Sequence, residues 1–221
     1  MRIGFDVDGV LANFTSAYQD LFIKTTGRNL FAAGDRVDPP TWDWPTLRGY
    51  TDAETAAVWD VINTSETFWL NLADAPGMST LHTMIRHLEN KHEVYFITQR
   101  TGISPKRQTE IWLVQQLHYP IYSLPTVLIV GKHMKGTVVR ALQLDAYVDD
   151  NLDNVIDCCM MSPTTRTYLL DRGYNRDDTN WRALRAQLLA RKSPSLTTRV
   201  EDFTRVATVG EMFDAEIQLG L

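Results

Sequence analysis

RIGFDVDGV, residues 2–10, begins as a short apolar strand and ends in two aspartates and a glycine. Side chains alternate along a strand, so Asp6 and Asp8 point to the same side if the extended backbone continues through Asp8. Two neighbouring carboxylates repel each other, and a cation or a proton relieves that repulsion. Gly9 allows the chain to turn sharply after them. The stretch predicts a buried strand, Arg2–Val7, with two acids at its end, and hard oxygen ligands of this kind suit Mg²⁺.

Four further apolar runs, rich in β-branched and aromatic residues, predict strands at His92–Thr98, Thr126–Val130, Ala146–Asp149 and Thr167–Leu170. Apolar residues at helical spacing predict helices over Met78–Asn90, Ser104–Leu117 and Lys135–Leu144, the second with Ser104 as its N-cap. Strands that alternate with helices indicate an α/β fold. We expect a three-layer, Rossmann-like parallel sheet with helices on both faces.

The interval between the first two strands is about 80 residues, far more than one crossover helix needs. It contains two helical patterns, Phe14–Thr25 and Thr51–Ile62, the second opened by a capping box of Thr51 and Glu54. We expect a small helical cap at residues 15–72 and an α/β core formed by residues 1–14 and 73–221. Such a cap would lie over the carboxyl ends of the strands, where open α/β sheets bind ligands.

The part of the chain after Leu170 shows weaker patterns. A polar loop is followed by a predicted helix over Trp181–Arg191, a turn at Ser193–Thr198 and a last helix over Val209–Leu219.

Three more groups of polar residues stand at predicted strand ends or helix starts. Asp149 and Asp150 close the strand that begins at Ala146, and buried paired acids need a metal or a polar site. Thr98 and Gln99 close another strand, where a hydroxyl can donate to a phosphate oxygen. Lys135 begins a helix and can neutralise a phosphate together with a carboxylate, with Lys132 as the rival lysine.

Together, DVDGV at residues 6–10, Thr98, Lys135 and the Asp149–Asp150 pair resemble the haloacid-dehalogenase superfamily in order and in strand context. The string FDVDGVLANF, residues 5–14, is similar to its 5'(3')-deoxyribonucleotidase branch. DRGYNR, residues 171–176, looks like a segment of that branch, with Gly173 in place of a proline, and Arg199, Val200 and Phe203 resemble its tail. The continuation Gln99-Arg100 departs from the Ser-Pro-like sequence of that branch.

The resemblance implies a magnesium-dependent phosphatase. Asp6 would be the nucleophile, and Asp8 would protonate the leaving oxygen and then activate water. Thr98, Gln99 and Lys135 would bind the phosphate. The Mg²⁺ ligands would be Asp6, the backbone carbonyl of Asp8, Asp149 and Asp150.

The implied substrate is a small phosphomonoester, above all a nucleoside or deoxynucleoside monophosphate. The insert contains an aromatic cluster, which could stack a nucleobase or could form the core of the cap. Its members are Trp42, Trp44, Trp59, Phe68 and Trp69. Arg100 and Lys106 could bind the substrate phosphate or could lie in solvent. Sugar phosphates, nucleic-acid 3' ends and a non-catalytic binding role stay open as alternatives.

Composition narrows the class of protein. The net charge is −5, and the pI of about 5.5 disfavours a general nucleic-acid-binding surface. No apolar run is long enough for a transmembrane helix, and the first ten residues do not resemble a signal peptide. The two cysteines, Cys158 and Cys159, are adjacent and fit a reducing cytoplasm. The sequence leaves the oligomeric state open, with a homodimer as one alternative.

Overall fold

The computed structural model of the protein describes residues 1–31, 49–76, 78–120, 123–176 and 203–218. Several predicted features lie outside these residues. They are Trp42 and Trp44, the helix over Trp181–Arg191, the turn at Ser193–Thr198 and the Arg199–Val200 pair.

Six parallel strands form one sheet in the described part of the chain, in the order β3-β2-β1-β4-β5-β6. Their bounds are β1 Arg2–Phe5, β2 Glu93–Thr98, β3 Thr126–Ile129, β4 Ala146–Asp149, β5 Arg166–Leu170 and β6 Phe203–Val206. The chain builds the sheet outward from β1 to β3, then returns to place β4 on the other side of β1. The predicted α/β fold is confirmed, and β1 lies at the switch point of the topology, where open sheets form their sites.

Seven α-helices accompany the strands in the described ranges. Their bounds are α1 Phe14–Thr26, α2 Asp52–Thr64, α3 Met78–Glu89, α4 Pro105–Gln116, α5 Lys135–Leu142, α6 Leu152–Met161 and α7 Val209–Gln218. Short 3₁₀ turns occur at Trp69–Asn71 and Gly173–Asn175. Neither α6 nor β6 was predicted from the sequence.

The capping box of α2 forms as predicted: the Thr51 side chain accepts from the Glu54 backbone, and the Glu54 side chain accepts from Thr51. The predicted N-cap at Ser104 is wrong in its chemistry. Ser104 precedes α4 in a left-handed conformation, with φ 47° and ψ 47°, and its side chain makes no capping hydrogen bond. An N-cap side chain reaches the helix N–H groups from an extended backbone, and this backbone is not extended.

Consecutive residues of a strand enter different parts of the core. Phe5, Phe96 and Val148 belong to one buried cluster with Ile85 of α3 and Phe213 of α7. On the opposite strand positions, Ile97 and Tyr147 pack with Val139 of α5 and Cys158 of α6. Because strand side chains alternate, these two clusters lie on opposite faces of the sheet. Helices cover each face, so the fold has three layers.

A small helical cap is inserted after the first strand. The two connections between cap and core lie side by side: the Asn13 backbone N–H donates to the carbonyl of Ala73 at 2.8 Å, and that of Ala75 donates to Leu11 at 2.7 Å. None of the helices in the described ranges combines the length and the apolar surface needed to span a lipid bilayer.

Candidate active site

Asp6 follows the last residue of β1 and stays tied to the sheet. Its backbone N–H donates to the carbonyl of Val148 at 2.9 Å, and its Oδ1 accepts from the Val7 N–H at 2.7 Å. The side chain is buried. Gly9 then turns the chain with φ 80°, and a Cβ atom there would lie 2.0 Å from Asp150 Oδ2. Only glycine accommodates both that dihedral angle and that approach, so the turn brings β1 and β4 ends together.

Lys135 is the first residue of α5, and its ammonium group lies between two buried carboxylates. Nζ is 2.8 Å from Asp6 Oδ2 and 2.7 Å from Asp149 Oδ2. Lys132 is exposed. The structure therefore brings Lys135, rather than Lys132, to Asp6.

Asp149 is fully buried and is held by four donors. Besides Lys135, its oxygens accept from the Tyr147 hydroxyl at 2.6 Å, the Asn151 backbone N–H at 2.8 Å and Asn154 Nδ2 at 3.2 Å. Asn151 is also the N-cap of α6. Asp149 itself does not cap the helix, and its orientation toward the site is fixed from several sides.

Asp150 is buried beside Asp149 and contacts the loop that follows β5. The Tyr174 hydroxyl donates to Asp150 Oδ2, and Asn175 Nδ2 donates to the Asp150 carbonyl at 2.8 Å. Arg172, in the same loop, donates to the Gly9 carbonyl from Nε at 3.2 Å and from Nη2 at 2.7 Å. The segment 171–176 thus holds the loops after β1 and β4 in place.

The electrostatics of the site reflect three acids around one lysine. Burial raises the pKa of Asp6 well above its usual value, and repulsion from Asp149 adds to this shift. Burial and the Asp149 charge raise the pKa of Asp150 to about 7. Burial alone would lower the pKa of Lys135, but the charges of Asp149 and Asp6 raise it, so the lysine stays a cation. One cation does not balance three buried carboxylates.

Carboxylate oxygens of Asp6, Asp149 and Asp150 all lie within 4.8 Å of one another. Hard oxygen donors at this spacing, with excess negative charge, fit a divalent cation such as Mg²⁺. The acidic cluster therefore has the donor chemistry of a metal site.

Asp8 faces a different set of partners from Asp6. Thr98 Oγ1 donates to Asp8 Oδ2 at 3.0 Å, and Arg100 donates from Nε to Oδ2 at 2.9 Å and from Nη2 to Oδ1 at 2.7 Å. Thr98 and Arg100 are buried, whereas Gln99 is exposed. Arg100 therefore does not lie in solvent, which corrects one of its two predicted environments. The other candidate cation, Lys106, lies at the surface in an ion pair with Glu110 at 3.0 Å.

One pocket joins the polar residues to the cap. Its wall contains Asp6, Asp8, Thr98, Gln99, Lys135 and Asp150 from the core, together with Asn151, Asn154, Phe14, Trp59 and Trp69. The Phe14 ring stacks on Trp59 at a centroid distance of 6.0 Å and on Trp69 at 5.8 Å. Of the aromatic cluster predicted in the insert, Trp59 and Trp69 reach this wall. Phe68 instead packs edge-on against Trp69.

Some residues of this site were not predicted from the sequence. Tyr147, Asn151 and Asn154 were given no role, although they surround the Asp149 carboxylate. The sequence offered one signal for such a role, namely their closeness to the acid pair: Tyr147 lies two residues before Asp149, and Asn151 and Asn154 follow Asp150 within four residues. Tyr174 lies in the DRGYNR segment, which the sequence marks as similar to the deoxyribonucleotidase branch but which gives no hint of its contact with Asp150.

The chain is similar to known nucleotidases. A family model described as 5' nucleotidase, deoxy (pyrimidine), cytosolic type C protein matches residues 1–190. Over 103 residues the chain is 25% identical to a nucleotidase of Clostridium acetobutylicum, a match that covers 47% of this chain and only 50% of that protein. It is 24% identical over 186 residues to a protein of Halalkalibacterium halodurans whose name places it among nucleotidases, covering 79% and 82% of the two chains.

The fold is also found in solved structures. A haloacid dehalogenase-like hydrolase from Burkholderia xenovorans matches with a TM-score of 0.56 at 16% identity, covering 100% of this chain and 98% of that chain. The resemblance predicted from the sequence is confirmed. The chain belongs to the family of 5' nucleotidase, deoxy (pyrimidine), cytosolic type C proteins, which are phosphoric monoester hydrolases with the haloacid-dehalogenase fold.

Proposed function

We propose that the protein is a magnesium-dependent phosphomonoesterase that works through an aspartyl-phosphate at Asp6 and acts on nucleoside or deoxynucleoside monophosphates. The observation that carries the proposal is the buried array in which Lys135 bridges Asp6 and Asp149, with Asp8 in the same pocket. A surface cluster of acids would not bury a lysine among them.

In the first step, an oxygen of Asp6 forms a bond to phosphorus as the bond between phosphorus and the leaving oxygen breaks. The electron pair of the broken bond stays on the leaving oxygen, which takes a proton from the Asp8 carboxyl group. Lys135 offsets charge on the phosphoryl oxygens, and the Thr98 hydroxyl and Gln99 side chain bind them from the end of β2.

In the second step, water attacks the phosphorus of the aspartyl-phosphate. Asp8, now a carboxylate, accepts the proton of that water, and the bond between phosphorus and Asp6 breaks. Asp6 returns as a carboxylate, inorganic phosphate leaves, and Asp8 carries the proton needed for the next leaving group. The different partners of the two residues support this division of roles: Asp6 pairs with Lys135, whereas Asp8 accepts from Thr98 and Arg100.

Asp6, Asp149, Asp150 and the backbone carbonyl of Asp8 would hold the Mg²⁺. A bound Mg²⁺ supplies positive charge that stabilises the transferring phosphoryl group and the three acids.

The cap supports a nucleotide as substrate. We place the cap at residues 15–72 and the core at residues 1–14 and 73–221, because the hydrogen bonds of Asn13 with Ala73 and of Leu11 with Ala75 close the insert at its base. The cap and its entry present Phe14, Trp59 and Trp69 to the pocket, and a flat aromatic wall suits a nucleobase. The name of the family, 5' nucleotidase, deoxy (pyrimidine), supports the same substrate class.

We also place the protein in the cytoplasm. Cys158 and Cys159 are both buried and unbridged, a state that a reducing compartment maintains.

The test is phosphate release from a panel of deoxynucleoside, ribonucleoside and sugar monophosphates, with and without Mg²⁺. We expect turnover that needs Mg²⁺, favours nucleotides and is lost in Asp6→Asn, while Asp60→Asn, at an exposed position on α2, keeps it. Turnover on sugar phosphates alone would remove the nucleotide assignment. No turnover on any compound would contradict the enzymatic proposal.

A further inference from the structure

Arg100 is an arginine that the proposed chemistry does not use, although it lies beside a residue that the chemistry needs. Its side chain is fully buried and donates two hydrogen bonds to the Asp8 carboxylate, at 2.9 Å from Nε and 2.7 Å from Nη2. Asp8 itself is 21% exposed and faces the pocket. Arg100 thus binds Asp8 from the protein interior, and the exposed part of the Asp8 carboxylate faces the pocket in which the substrate would bind.

The guanidinium group of Arg100 is itself fixed from two further directions. Nη1 donates to Thr109 Oγ1 at 2.9 Å, and Thr109 in turn donates to the carbonyl of Pro105 at 2.7 Å, in the first turns of α4. The Trp69 ring covers the guanidinium, with Arg100 Cζ at 4.9 Å from the ring centroid. A buried arginine held by a helix and by a cap tryptophan has little freedom to move.

These contacts argue against Arg100 as a phosphate ligand. Nε and Nη2 donate to Asp8 and Nη1 donates to Thr109, so every nitrogen of this fully buried guanidinium already has a protein acceptor. The described pocket wall contains Asp8, Thr98 and Lys135 but not Arg100.

We propose that Arg100 is a positioning residue that sets the direction of the Asp8 carboxylate and links it, through Trp69, to the cap. The planar fork of an arginine fixes both oxygens of a carboxylate at once, which a lysine ammonium cannot do. The inference rests on the proposed role of Asp8 in proton transfer, and it adds a residue that connects the substrate-covering part of the molecule with that role.

The first test compares Arg100→Gln and Arg100→Lys with Arg107→Gln, a matched change at an exposed arginine of α4. We expect Arg100→Gln to lower kcat by about 10- to 100-fold, because small misplacements of a reacting group cost this much. The inhibition constant of inorganic phosphate should stay within about twofold, because the proposed phosphate ligands Thr98, Gln99 and Lys135 are unchanged. Arg100→Lys should recover part of kcat, and Arg107→Gln should match the wild type.

The second test is a double-mutant cycle with Asp8→Asn, measured on p-nitrophenyl phosphate, whose good leaving group preserves residual turnover. If Arg100 acts through Asp8, adding Arg100→Gln to Asp8→Asn should change kcat by less than about twofold. Additive losses would overturn the proposal, as would a raised KM and phosphate inhibition constant with kcat retained. Circular dichroism checks folding, and Arg100→Lys carries the cycle if the glutamine variant unfolds. Absent wild-type turnover would instead contradict the proposed function.

Discussion

Lys135 is the cation on which the buried acids depend. In the described part of the chain, it is the one basic side chain within ion-pair distance of either Asp6 or Asp149. Breaking a buried ion pair from one side leaves an uncompensated charge, which costs about 3–5 kcal/mol. The same ammonium group points into the pocket where a phosphate would bind. Stability and turnover should therefore respond together to its removal.

We expect Lys135→Met to lower kcat with Mg²⁺ by about 100- to 1,000-fold, the loss typical of removing one stabilising group from a developing negative charge. Its free energy of unfolding without metal should fall by about 3–5 kcal/mol. The measurements are phosphate release and urea unfolding. Lys132→Met is the matched control, because Lys132 is exposed three residues earlier. A loss of turnover in the control, with Lys135→Met unaffected, would assign the role to the other lysine.

The residues that could be predicted from the sequence share one feature: each ends a strand or begins a helix. Asp6, Thr98, Lys135 and Asp149 are all of this kind, so the parallel topology alone brings them to one edge of the sheet. The contacts of Arg100 with Asp8 and of Tyr174 with Asp150 could not be predicted in this way. Arg100 is turned back by the loop after β2, and Tyr174 belongs to a loop whose path depends on tertiary contacts.

At the scale of elements, the strands β1 to β5 were predicted because short, largely apolar runs of four to six residues are a strong signal. The strand β6, FTRV, carries two exposed residues of four, and it forms because β5 offers a free edge for parallel pairing. The helix α6 was missed although its six consecutive buried residues, 155–160, are mostly apolar. A helix that is buried on nearly all sides has no polar face, so its sequence does not show the 3.6-residue alternation of apolar and polar residues that marks a surface helix.

The cap is joined to the loop after β2 by Gln108 of α4. Its Oε1 accepts from the Trp69 backbone N–H at 3.0 Å, and its Nε2 donates to the carbonyls of Ser65 at 3.1 Å and Ile103 at 2.6 Å. Trp69 Nε1 donates to the Thr101 carbonyl at 2.8 Å. One buried amide thus connects the end of the cap with the start of α4, directly beside the pocket wall.

Gln108→Met should remove this connection at nearly constant side-chain volume. The Trp69 N–H would lose its acceptor, at a cost of about 1–3 kcal/mol in the free energy of unfolding. Because Trp69 is part of the pocket wall, we expect a raised KM for nucleotides. Urea unfolding and steady-state kinetics measure the two effects. Gln115→Met, at an exposed position of the same helix, is the control, and equal behaviour of the two variants would contradict a role for Gln108 in holding the cap.

At the scale of the whole molecule, the sheet order places β1 between β2 and β4, so three strand ends and the loop after β5 converge on one volume. The sequence predicts which residues stand at strand ends but not which strands become neighbours, because lateral order depends on long-range pairing. The cost of this convergence is a concentration of buried acids. Ionisation of these buried acids lowers the free energy of unfolding as the pH rises. The stability of the protein should therefore depend measurably on pH and on bound Mg²⁺.

Burial and the Asp149 charge raise the pKa of Asp150 to about 7, and burial raises that of Asp6 as well. The folded protein without metal therefore retains protons that the unfolded chain releases above its ordinary carboxyl pKa of about 4. The stabilising contribution of protonated Asp150 to the free energy of unfolding is fully present below about pH 4. It is lost as the pH rises from there through about 7. Each such group lowers the free energy of unfolding by at most about 1.4 kcal/mol per pH unit.

We expect the thermal midpoint in the presence of a chelator to fall between pH 5.5 and pH 8, and Mg²⁺ to raise it most at pH 8, where the acids are ionised and bind metal best. In Asp150→Asn, the thermal midpoint without metal should fall less between pH 5.5 and pH 8, and Mg²⁺ should raise it less than in the wild type. Asp60→Asn, which removes an exposed acid, should follow the wild type at both pH values. A metal-free wild type that is more stable at pH 8 than at pH 5.5 would show that the buried acids are compensated by some other charge, because an uncompensated cluster can only lose stability as it ionises.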